Sequence, residues 1–138
     1  MTAGYSGKPV WQKLGLKPGS RFAVVDGPSD YEMTIGGLPP DVRRVDGSKT
    51  DLDVIHVFVI ERARLARILP SLRERIAPAG AIWVSWPKKS AKIPGDLTEN
   101  VVRELALAAG LVDVKVCAVS EIWSGLKLVI RVKDRPAK

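Results

Sequence analysis

Few side chains in this sequence are equipped for chemistry. His56 is its one histidine and Cys117 its one cysteine. A single imidazole and a single thiol cannot assemble the common four-ligand zinc sets within one chain, so no metal site is expected. His56 stands inside the apolar run DVIHVFVI (53–60). A lone imidazole there reads as a hydrogen-bonded core residue before it reads as a catalyst. Cys117 lies in an alternating stretch with only Lys115 as a nearby cation, which describes a packed thiol rather than a nucleophile. Ser85, Ser90 and Ser124 lack the turn of a nucleophile elbow, and no phosphate-binding P-loop is present. No residue is assigned a catalytic role on these grounds.

The stretch with most to offer a ligand is WVSWPKKS (83–90). It closes an apolar run and turns at Pro87 into a loop carrying Lys88, Lys89, Ser90 and, a little further on, Lys92. Ser85 and Ser90 supply hydroxyls and Trp86 an aromatic face. In an open parallel sheet, ligands sit outside the carboxyl ends of the strands, where this loop would fall. It leads toward a helix start near residue 97, and such an end attracts anions. Asp96 works against that by capping the same donors. In the plainer reading both tryptophans are core and the lysines are solvated. On the first reading, Lys88, Lys89 and Lys92 form the densest positive surface and hold an anion.

Charge points the same way. The chain has 138 residues, with 22 basic and 15 acidic, a net charge of +7. That balance favours anionic partners. An anionic small molecule or nucleotide-like ligand suits it, and nucleic acid is a weaker fit because the basic residues are spread out. A basic surface docking an acidic protein or nucleic acid is the alternative function. With 46% hydrophobic and 27% charged residues, the composition is that of an ordinary globular domain. MTAGYSGKPVW lacks the apolar core of a signal peptide, and no apolar run is long enough to span a membrane, so the expected location is the cytoplasm.

These residues need elements to position them. KPVWQKLG (8–15) patterns as a short amphipathic helix, RFAVVD (21–26) as a strand apolar on both faces, and 29–36 as two helical turns. VRRVD (42–46) is a short strand candidate and 53–60 the clearest strand. ERARLARILPSLRERIA (61–77) repeats Leu65, Ile68, Leu69, Leu72 and Ile76 at helical spacing, with Pro70 expected to kink or restart it. AIWVSW (81–86) is another strand buried on both faces. DLTE (96–99) has capping-box spacing for a helix running to Ala109, with Asp96 as cap. LVDVKVCAV (111–119) and GLKLVIRV (125–132) alternate, placing Val112, Val114 and Val116 on one face, and pair antiparallel. The fold class that follows is α/β: a three-layer, Rossmann-like, mostly parallel sheet closed by a C-terminal antiparallel strand pair. A single domain over 1–138 is expected, with 1–18 as an N-terminal helical arm and 134–138 as a loose tail.

The order LKPGSRFAVVD, DVIHVFV, LRERIAPAGAIWVSW and then the closing strand pair resembles the S-adenosylmethionine-dependent methyltransferase fold. YSGKPVWQKLGLKPG, WVSWPKK, DLTENVVRE and GLVDVKVCAV…WSGLKLVIR look like a family of small uncharacterised bacterial proteins with no assigned function. The methyltransferase resemblance implies a cofactor turn after the first strand and a ribose-binding acid at the end of the second. Asp26, Gly27 and Ser29 occupy that turn, and Asp46 stands 20 residues beyond Asp26. Asp46-Gly47 reads equally as a plain turn. Pro28, Ser29 and Asp30 replace the glycines such a turn needs, and Pro28 removes a backbone donor. Between VRRVD and DVIHV lie only six residues, GSKTDL, too few for a crossover helix. The fold admits S-adenosylmethionine, but this turn and this crossover disfavour it. The resulting expectation is a degenerate methyltransferase-like protein that binds a small-molecule or nucleotide-like ligand.

Overall fold

A computed structural model describes residues 9–46 and 49–135. In chain order the elements are α1 (Val10–Lys13), β1 (Arg21–Val25), α2 (Tyr31–Thr34), β2 (Arg43–Arg44), β3 (Leu52–Phe58), α3 (Arg62–Arg75), β4 (Ile76–Pro87), α4 (Glu99–Ala108), β5 (Leu111–Ala118) and β6 (Trp123–Ile130). The strands form one sheet in the order β2-β1-β3-β4-β6-β5. The first four run parallel, and β6 inserts antiparallel between β4 and β5. The strand assignments read from two-sided apolarity and from alternation both hold.

Each face of the central strands has its own core. On one face Ile55, Val57, Ile82, Val84 and Trp86 pack with Leu65, Leu69 and Leu72 of α3 and Val102 and Ala106 of α4. On the other, Phe22, Val54, Phe58 and Trp83 pack with Val10 and Leu14 of the α1 region and Tyr31 and Ile35 of the α2 region. The second face is covered thinly, because α1 and α2 have four residues each. From residue 9 onward the N-terminal segment packs on the sheet: Val10, Leu14 and Leu16 are buried. Residues 1–8 of the expected arm and 136–138 of the expected tail lie outside the described residues. Arg135 donates from Nε to the Ile130 carbonyl at 3.1 Å, which ties down the chain beyond β6.

The short crossover has the predicted consequence. From β2 the chain crosses to the far side of β1 and enters β3 with no helix among the described residues between them. An extended chain spans roughly 3.3–3.6 Å per residue, so this linker has no length to spare for one.

Three local expectations are corrected. α3 does not restart at Pro70 but runs through it as one element, with Pro70 exposed. α4 is capped by Thr98, whose Oγ1 accepts from the Val101 N–H at 3.3 Å. Asp96 caps α3 instead, accepting from the Arg62 N–H at 2.6 Å. Sequence spacing favoured the nearer helix; the sheet brings the start of α3 to the same loop. Finally, Val112, Val114 and Val116 do not share a face. A bulge between Asp113 and Lys115 shifts the register of β5 by one residue. Val114 and Val116 are consequently exposed, and Asp113 meets Arg103 of α4 at 3.0 Å.

Candidate functional site

β1 and β3 are neighbours whose connections leave in opposite directions, so the crevice beyond their carboxyl ends is the switch point where such sheets bind ligands. Asp26 and Gly27 lie at the carboxyl end of β1, and a contact from Asp26 crosses to α3. Asp26 follows β1 directly in a left-handed conformation (φ 55). Its carboxylate pairs with the Arg64 guanidinium in the first turn of α3. Both side chains are near half exposed, so the pair adds well under about 1 kcal/mol to stability; its effect is to bridge the crevice. The loop before α4 closes the same side, with the Asp96 N–H donating to the Ile60 carbonyl at 3.1 Å.

Gly27 has no open space above it. A Cβ there would overlap Val24 Cγ1 and touch Tyr31 at 3.5 Å and Phe58 at 3.6 Å. The turn is thus folded down onto its own core. Pro28 offers no N–H and its carbonyl accepts from Tyr31 at 3.1 Å. Ser29 is exposed. Asp46 is exposed two residues beyond β2, and its carbonyl accepts from the Lys49 N–H at 3.0 Å. A bridged carboxylate, a glycine packed on the core and a proline thus make up the turn after β1.

The WVSWPKKS stretch divides in two. Ser85 and Trp86, expected at the ligand, are buried, 0% and 6% exposed. They are corrected to core positions, because β4 is central and both of its faces are covered. Lys88 is half-buried with its N–H on the Ile122 carbonyl at 2.8 Å, while Lys89 and Ser90 are exposed in a 3-10 turn over Lys89–Ala91. Lys92 follows in a left-handed conformation (φ 54). Among the described residues no ion pair engages these lysines. Thr98, not a free N–H set, faces the following helix start.

Ser85 serves a different purpose. Its Oγ lies 2.7 Å from His56 Nε2, and Tyr31 Oη lies 2.9 Å from His56 Nδ1. A neutral imidazole donates from one nitrogen and accepts at the other, so one hydroxyl accepts from the ring and the other donates to it. Phe58 stacks on the ring at 4.3 Å. Burial pushes the His56 pKa down to about 3, and the ring stays neutral. Burial also raises the Tyr31 hydroxyl well above the ordinary phenol range, with Arg44 offsetting it in part. The chain is hydroxyl–imidazole–hydroxyl, buried at His56 and Ser85, with the Arg44 guanidinium 5.4 Å over the Tyr31 ring. Cys117 fits its expected part: burial raises its thiol, and Lys13 and Lys115 offset this only in part.

An open cavity lies at the opposite end of the sheet. It has a volume of about 590 Å³ and sits at the amino ends of β1, β3 and β4. Its apolar wall is Leu14, Val54, Ala77, Ala79 and Ala81; Lys17, Ser20, Asp53 and Lys127 are its polar groups. A wide irregularity creates it: Leu52 pairs with Ile76 and Val54 with Ala81, so residues 77–80 loop out of the ladder. Gly80 permits this, since a Cβ there would lie 2.6 Å from the Leu52 carbonyl oxygen. The opposite wall is held by Trp83, whose Nε1–H donates to the Leu14 carbonyl at 3.0 Å. Sequence reasoning passed over this end. The one available signal was Lys127, which alternation with Leu126 and Leu128 placed on the other face of β6.

The architecture is shared with known enzymes. A S-adenosylmethionine-dependent methyltransferase from Aquifex aeolicus superposes with a TM-score of 0.62 at 14% identity, over 88% of this chain and 88% of that one. A TehB-like methyltransferase from Corynebacterium glutamicum gives 0.56 at 12% identity, over 87% and 85%. The O-methyltransferase NcsB1 of neocarzinostatin biosynthesis, solved with S-adenosyl-L-homocysteine and 1,4-dihydroxy-2-naphthoic acid, gives 0.61 at 14% identity; 92% of this chain covers 52% of that one. At such identities the likeness is one of fold: the protein has a methyltransferase-like fold. Residues 48–132 match the model of the family "Protein of unknown function (DUF3052)", and the chain belongs to that family. No curated protein matches it by sequence. No helix among the described residues is long and apolar enough to cross a membrane.

Proposed function

We propose that this chain is a degenerate methyltransferase-like protein that binds a small anionic or nucleotide-like ligand and transfers no methyl group. One observation carries the reading: the Asp26–Arg64 pair spans the switch-point crevice in which the fold's ligands sit. The blocked Gly27 and the loop at Asp96 support it from either side. What remains for a ligand at that end is the rim, where Lys88, Lys89 and Ser90 follow β4, Asp26 and Ser29 follow β1, and Asp46 follows β2. Exposed lysines there attract anions weakly and in a salt-dependent way.

Calorimetric titration of the full chain with S-adenosylmethionine and S-adenosylhomocysteine tests this. Neither should bind with a dissociation constant at or below the low micromolar range, about −8 kcal/mol. Low-micromolar binding of either would show that the turn opens at small cost and that the reading is mistaken.

A further inference from the structure

We propose that the cavity at the amino ends of β1, β3 and β4 is a binding site for a small phosphomonoester, with Lys17, Lys127 and Ser20 receiving the phosphate and Asp53 a hydroxyl. This goes beyond the reading above, because it concerns the opposite end of the sheet.

Size is the first support. A cavity of about 590 Å³ suits a small organic ligand and is far larger than an inorganic ion needs. Its apolar wall would pack a carbon skeleton rather than leave it in water.

Charge is the second. Lys17 and Lys127 line the cavity against a single acid, Asp53. Lys127 is half-buried, and no ion pair engages it among the described residues. In the ladder it stands directly opposite Lys115 on β5. Like charges directly opposite on neighbouring strands are destabilising. A folded protein tolerates this excess more easily when an anion neutralises it, and a dianionic phosphate answers it better than a monoanionic carboxylate.

The third is a prepared hydroxyl. Ser20 is 4% exposed, and its Oγ accepts from the Lys17 N–H at 3.1 Å. Its own hydrogen has no acceptor among the described residues, so a phosphate oxygen would complete it. Asp53 already accepts from the Arg21 N–H at 2.9 Å, which fixes the carboxylate while leaving it capacity for a second donor.

The test is calorimetry of the full chain at low salt with ribose 5-phosphate, inorganic phosphate and ribose. Ribose 5-phosphate should bind, inorganic phosphate more weakly, and ribose not at all. Lys127→Met should weaken ribose 5-phosphate by about tenfold or more, as loss of a charge-assisted contact does. Ala79→Leu fills the cavity from an exposed position, so it should keep the fold and lose the binding. Arg67→Ala removes an exposed cation of α3 outside both sites and should leave it unchanged. Absence of binding by ribose 5-phosphate at millimolar concentration overturns the proposal. So does undiminished binding by the folded Ala79→Leu protein, or equal loss in Arg67→Ala.

Discussion

His56→Phe isolates the energetics of the buried polar network. The imidazole is fully buried and holds Tyr31 Oη at 2.9 Å and Ser85 Oγ at 2.7 Å. Phenylalanine keeps much of the ring packing against Phe58 but leaves two buried hydroxyls without that partner. Each such group costs about 1–3 kcal/mol, so the variant should lose about 2–6 kcal/mol at pH 7.5. The triple change Tyr31→Phe/His56→Phe/Ser85→Ala removes all the polar ends and should regain most of that. Acid stability gives an independent handle. The folded pKa, about 3, lies below the ordinary 6.5, so below pH 6.5 the unfolded chain takes up a proton that the folded chain refuses. The contribution is present above pH 6.5 and lost as the pH falls toward 3. Between pH 7.5 and pH 5.0 the wild type should lose about 2 kcal/mol from this group alone, and His56→Phe should lack that component. Urea unfolding of the three proteins at both pH values measures every term. Loss of less than about 0.5 kcal/mol in His56→Phe at pH 7.5, or identical pH dependence in both proteins, would refute the account of a satisfied neutral imidazole.

Further outcomes follow from individual contacts. Gly27→Ala drives a methyl into Val24 Cγ1 and should cost about 1–3 kcal/mol in chemical denaturation, with Val24→Ala relieving most of it. Thr98→Ala removes the α4 cap and should cost about 1 kcal/mol, whereas Asp96→Ala should show its loss as fraying of α3 in amide exchange. Replacing Lys88, Lys89 and Lys92 with serine should change thermal stability by less than about 0.5 kcal/mol, since none is ion-paired among the described residues; a larger loss would mean that the lysines are structural.

The local grammar of the sequence carried the fold. β3 and β4 are central strands, and chains buried on both faces must be apolar on both, so DVIHVFVI and AIWVSW announce themselves without alternation. The alternating pair at the end is equally legible, as is the missing crossover helix, because six residues cannot contain one. The core role of His56 was also readable, since it is a lone histidine inside the apolar strand run DVIHVFVI.

Other features depended on which ends of which elements meet in space. Asp96 reads as a cap for the next helix, but the sheet delivers the start of α3 to it across 34 residues. Trp83 and Trp86 sit in one motif, yet one anchors the α1 turn and the other packs on the α3 and α4 face, because a strand turns successive side chains to opposite sides. WVSWPKKS is therefore a core strand, with Ser85 in the His56 network, that becomes a basic turn only after Pro87. The Asp26–Arg64 bridge and the cavity of Lys17, Ser20, Asp53 and Lys127 bring together residues far apart in sequence. Spacing along a chain records what one helix or strand can do alone. Closing a crevice or opening a cavity depends on the register between strands, and the loop-out at 77–80 that shapes this cavity exists only once β3 and β4 have paired.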